Sequence, residues 1–186
     1  MPLRLHLDAY ADYDENSGSY FEDPAVDVLL EHSLLSLSMW EDAHEKPFLN
    51  KNDSKRTVAE QKDYYKCMVI GDVPPHFEDR LGRLEFKAIS EYVNRKHTAT
   101  TFRSQEGEFY GQKGNTTGQL LTSELIYSYM VDLGIPFEAE KWNINRLMTL
   151  IKTCGENQKP KKKMGKAATA QRNASLNAAR KRKLGL

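Results

Sequence analysis

The chain has 186 residues, 39% of them hydrophobic and 28% charged, with a formal net charge of +1. That is too much apolar material for a chain disordered throughout, and it suits a single core of about 150 residues. No run approaches the roughly 18 apolar residues of a membrane helix, Met1 to Leu7 lacks the apolar stretch of a secretory signal, and Cys67 and Cys154 show no CxxC spacing, so the sequence predicts no membrane span, no export and no zinc or disulfide framework.

Charge is unevenly placed. Residues 152–186 carry 11 Lys or Arg against the single Glu156, a balance of +10, while residues 1–151 hold 16 basic and 25 acidic side chains, a balance of −9. This asymmetry predicts an acidic α+β globular domain over residues 1–155 and a basic C-terminal tail over 156–186, helical once docked.

In chain order, Leu3, Leu5 and Leu7 alternate with Arg4 and His6 as in a half-buried strand. The polar run Asp8 to Asp23 reads as a turn or hairpin loop, and Val26 to Ser38 as a second strand whose apolar parity switches, as at a bulge. Glu41 to Glu45, with His44, reads as a solvated loop, and Lys46 to Arg56 as a polar one. Thr57 and Glu60 have capping-box spacing, so a helix is expected there with Val58, Tyr64, Tyr65 and Met68 on its apolar face, ended by Gly71 and Pro74-Pro75. Leu81, Leu84, Ala88 and Tyr92 mark another helix. Four glycines between Thr98 and Gly118 predict an exposed loop presenting Phe102, Phe109 and Tyr110 to a partner. Leu125 to Leu133, and Ile144 to Cys154 before Gly155, predict a helix pair joined through Gly134-Ile135-Pro136 and anchoring the core. Both cysteines fall in such apolar stripes and read as core thiols.

Catalytic signatures are sparse. There is no GxSxG elbow and no HExxH, and Gly111 to Gly118 lacks the lysine and hydroxyl order of a phosphate loop. The expectation is therefore a non-enzyme without metal or cofactor. The basic tail is the sharp feature, with Lys159, Lys161, Lys162, Lys163, Lys166, Arg172, Arg180, Lys181, Arg182 and Lys183 as candidate partner contacts. Three readings stay open: phosphate neutralisation on nucleic acid, docking on an acidic protein surface, or a solvated tail. No aromatic residue lies between Gly155 and Leu186 to stack on bases.

Several blocks recur in a familiar order: Leu30 to Ser38 with Trp40-Glu41, Lys46-Pro47-Phe48-Leu49, Thr98-Ala99-Thr100-Thr101-Phe102, Ile135-Pro136-Phe137-Glu138, Lys141-Trp142, Asn145-Arg146-Leu147, Leu150-Ile151, Lys162-Lys163-Met164, Arg172-Asn173, Leu176-Asn177 and Leu184-Gly185. Together they resemble a family of small proteins encoded by tailed bacteriophages and prophages and associated with tail morphogenesis. The chain departs from the family pattern at Met39, where lysine is usual, and in a longer glycine-rich loop. The resemblance implies a non-enzymatic tail assembly protein, a chaperone for the tape measure or another tail protein, working in the host cytoplasm during assembly. The alternatives are a structural virion component, such as a connector or baseplate subunit, and a nucleic-acid-binding accessory protein. Other phage tail proteins are the implied partners, with self-association and nucleic acid behind them and no membrane.

Overall fold

The structure, a computed structural model, describes residues 1–14, 18–49, 56–100, 120–158 and 165–185. It shows the expected α+β fold. The chain divides into two compact units, Met1–Glu156 and Asn157–Leu186.

The alternating leucines form strand β1 (Leu3–Leu7), which pairs antiparallel with β4 (Val26–Leu30), so that Leu5 faces Val28 and Leu3 faces Leu30. The polar run between them is no simple loop. It forms β2 (Tyr10–Asp14) and β3 (Ser19–Asp23), paired in the same constant register as β1 and β4. One long ribbon results, interrupted around Asp8-Ala9 and Pro24-Ala25, where proline has no N–H to give a ladder. Arg80 spans that gap: its guanidinium donates to the carbonyls of Asp8 (2.7 Å), Pro24 (2.9 Å) and Leu7 (3.2 Å). Nearer the tip, the His76 ring stacks on Phe21 at 4.2 Å, and its Nδ1 lies 2.7 Å from Asp23. Arg80→Ala is expected to cost about 2 kcal/mol, as for hydrogen bonds made by a charged donor. It should also speed amide exchange in β2 and β3 ahead of β1, whose Leu5 and Leu7 are buried in the core.

The predicted strand to Ser38 stops at Leu30. Leu34 to His44 is helix α1, because Ser33 and Ser36 bond each other's backbone N–H in a capping box. The parity switch was a helical period seen through too short a window. Helix α2 (Val58–Cys67) begins at Thr57 with the predicted box and continues to a final turn at Met68. Its buried face is Tyr64, Tyr65 and Met68, while Val58 is exposed. Helix α3 (Arg83–Asn94) buries Ile89 and Tyr92 and leaves Leu84 in solvent.

Helix α4 (Ser123–Asp132) ends at Gly134, whose positive φ lets the Ile135 N–H return to Met130 O at 2.8 Å. A short 3-10 helix (Phe137–Lys141) leads into α5 (Ile144–Gln158), which runs through Gly155 rather than stopping before it. α4 and α5 both feed the core with Ile126, Met130, Ile144, Leu147 and Ile151, yet they are not the central pair. α1 holds that place, packed against α2, α4 and the 3-10 helix. Leu34, Leu37 and Trp40 are its buried face, each contributing about 1.5–3 kcal/mol by burial. Cys67 and Cys154 are half-buried rather than core thiols, and burial pushes the Cys67 thiol up from its ordinary value.

The second unit contains helix α6 (Lys166–Leu184), closed by Gly185 in the left-handed region with its N–H on Lys181 O.

Candidate functional site

Leu30 and the residues after it carry the chain from ribbon to helix, and here polar side chains are buried together. Glu31 Oε1 accepts hydrogen bonds from the Tyr92 hydroxyl (2.6 Å) and the Asn143 amide (3.0 Å), while the Ile144 N–H donates to His32 O at 2.7 Å. β4, α3 and the start of α5 are thereby tied at one point. His32 Nδ1 meets the Tyr64 hydroxyl in a buried hydrogen bond, and Tyr64 also lies 3.4 Å from Ser36 Oγ.

Glu31, His32 and Ser33 thus stand side by side, each with its side chain engaged in buried hydrogen bonds. Ser33 and Ser36 are engaged in the α1 cap. Burial pulls the His32 imidazole down to about 4, so it is neutral at pH 7, and burial drives the Tyr64 phenol far above its usual range. No buried side-chain polar atom among the described residues lacks a partner.

Glu41, expected in a solvated loop, sits buried on α1. One oxygen accepts the Phe48 N–H and the other the Ser123 N–H, each at 2.7 Å. A single carboxylate thus fixes both the segment after α1 and the start of α4. Trp40 beside it donates to Glu60 O at 2.9 Å, and Arg56 lies 3.8 Å above the Phe48 ring and bonds its carbonyl. His44 stacks on Trp40 at 4.4 Å and approaches Asp63 at 3.3 Å. The Trp40-Glu41 and Lys46 to Phe48 blocks therefore converge on one packing unit, which is a reason for their spacing that involves no ligand.

The blocks Lys141-Trp142 and Asn145-Arg146 lie elsewhere, on an open cleft. It comprises two adjoining hollows of about 710 and 320 Å³ that share Met1, Pro2 and His97. Arg4, Arg95 and Lys96 line the larger, and Lys141, Trp142 and Arg146 the smaller. Arg4 is neutralised by Asp27 at 2.6 Å. Arg95, Lys96, Lys141 and Arg146 make no ion pair with any carboxylate among the described residues. The end of α3 is closed by side chains: His97 Nε2 lies 2.8 Å from Tyr92 O, and the Asn145 amide donates to Arg95 O at 2.9 Å. Trp142 is 46% exposed, with the Arg146 guanidinium 5.8 Å from its ring centre.

Of the sequence-predicted contacts, Arg172, Arg180, Lys181, Arg182 and Lys183 are exposed along α6, which also carries Lys166 at its start. Lys159, Lys161, Lys162 and Lys163 lie outside the described residues, as do Phe102, Phe109 and Tyr110. The sequence reading missed the cleft. Its signals were Arg95-Lys96-His97 after a helix and Lys141-Trp142 four residues before Arg146, both hidden by the net acidity of residues 1–151.

Among the described residues no group of three or more potential metal ligands is found, and no helix is long and apolar enough to cross a membrane. Comparison with protein-family models, curated proteins and solved structures finds no match to this chain.

Proposed function

We propose that this chain is a non-enzymatic bacteriophage tail assembly protein, a chaperone that holds the tape measure protein or another tail protein through its basic C-terminal segment. The phage attribution rests on the sequence blocks given above. The structural observation that carries the binding role is α6.

No acidic residue occurs between Lys166 and Leu184. Arg172, Leu176, Arg180 and Leu184 stand four apart, so they share one helical stripe in which cations alternate with leucines. Leu176 is 45% and Leu184 73% exposed. Such a stripe suits a groove with an apolar floor and an acidic rim, the helix-in-groove mode of recognition. Lys181, Arg182 and Lys183 also complement the negative end of the helix dipole, so part of their charge acts within the helix itself.

An isolated helix with two leucines to bury is marginal in water. A synthetic peptide of residues 159–186 is accordingly expected to show weak helical circular dichroism alone and a clear gain on adding the partner. Equal helicity in both states would remove the docking role.

A tagged full-length chain in phage-producing cells is expected to capture a tail protein while being missing from mass spectra of purified particles. Stoichiometric presence in particles would favour a structural virion subunit instead. Capture of no tail protein, together with absence from particles, would end both readings.

A further inference from the structure

We infer that the cleft between the start of β1, the end of α3 and the start of α5 is a docking site for a short acidic peptide segment of a partner protein. This assignment does not rest on the tail-assembly reading, since it concerns a site within the first unit and leaves α6 aside.

Residues 1–151 hold 16 basic side chains in an excess of acid, and five of those sixteen line this one cleft. Four of the five have no carboxylate partner among the described residues. Among the described residues the only carboxylate on its walls, Glu31, is buried and already bonded to Tyr92 and Asn143. The carbonyls of Tyr92 and Arg95, which would otherwise point the negative end of α3 at an incoming anion, are covered by His97 and Asn145. Arg146 lies over the Trp142 ring, a placement that pre-orders a guanidinium for two-point contact with a carboxylate.

A nucleic acid strand fits less well. A long polyanion would reach beyond the cleft along a unit whose residues 1–151 carry a net balance of −9, and one exposed tryptophan is a single stacking platform where a strand uses several. A short acidic segment meets only the cleft.

Trp142 supplies a local probe, because the other tryptophan, Trp40, is buried. With the full-length chain and an excess of a synthetic Glu/Ala peptide, Trp142 is expected to become protected from acrylamide quenching, increasingly as salt is lowered. Trp142→Phe should abolish that signal, and α6 itself holds no tryptophan to report binding there. The exposed double substitution Arg95→Gln/Lys96→Gln is expected to weaken the peptide by about tenfold through loss of two charge-assisted contacts, with an unchanged melting curve confirming the fold. Absence of protection would overturn the assignment, as would equal affinity in the double variant. Stronger protection by an oligo-dT of equal charge, lost in the same variant, would overturn it in favour of nucleic acid.

Discussion

Replacing Glu41 by alanine is expected to destabilise the first unit by about 4 kcal/mol, since two buried backbone donors each lose a charged acceptor and keep the cost of desolvation. Those donors are the N–H groups of Phe48 and Ser123, which no other described acceptor takes over. The two segments they fix are far apart in sequence, so the effect should appear as a loss of cooperativity between α1 and α4 as well as a lower midpoint. Glu41→Gln preserves shape and one acceptor, and about half the loss is expected from it. Urea unfolding of the two variants checks this. If both lie within about 0.5 kcal/mol of the parent, as ordinary surface changes do, the carboxylate is not the brace described here.

Acid should weaken the fold in two separable steps. His32 has its folded pKa lowered by burial from 6.5 to about 4. Below pH 6.5 the unfolded chain therefore binds a proton that the folded chain refuses. Stability from this group is complete above that value and falls as pH drops towards about 4, by about 3 kcal/mol over the window. His32→Gln should flatten the profile in that range, whatever it does to stability at neutral pH. Glu60 acts lower. Its carboxyl is held at about 2, first by the Lys46 ammonium at 2.7 Å and then by the Thr57 N–H, so its contribution is present above the unfolded value and lost as pH falls from about 4.5 towards 2. Unfolding midpoints measured across pH in the parent, His32→Gln and Lys46→Ala chains distinguish the two, because only the first variant alters the upper step.

Much of this architecture was legible where one local rule decides the outcome. Thr57 and Glu60 announced α2 because a capping box is a four-residue device, and Gly134 announced the end of α4 because a left-handed turn there needs no tertiary help. Failures came where a contact distant in sequence decides. Nothing local tells that Asp8 to Asp23 extends the ribbon, since the outer strands are held by His76 and Arg80 from beyond α2. Leu34 to Met39 has too few residues before the helical period is visible, and its Ser33/Ser36 cap is less distinctive than a Thr/Glu box. Glu41 looked solvated because acids beside it in sequence are exposed, while its own side chain points to two backbone donors. The same limit hid the basic cleft: Arg95, Lys96, Lys141 and Arg146 are separated along the chain and meet where Asn145, together with Glu31, ties the start of α5 to the end of α3. The basic tail, in contrast, was legible as composition, and the fold adds the stripe of Arg172, Leu176, Arg180 and Leu184 that composition does not contain.

The central claim is that the C-terminal segment captures a tail protein while the first unit folds by itself. The direct measurement is affinity capture from phage-producing cells with the full-length chain beside one lacking residues 159–186, each checked by thermal unfolding. The account predicts that the full chain retains the tape measure or another tail protein, that the shortened chain loses it, and that the main unfolding transition is unchanged. Equal capture of that tail protein by both chains would contradict it.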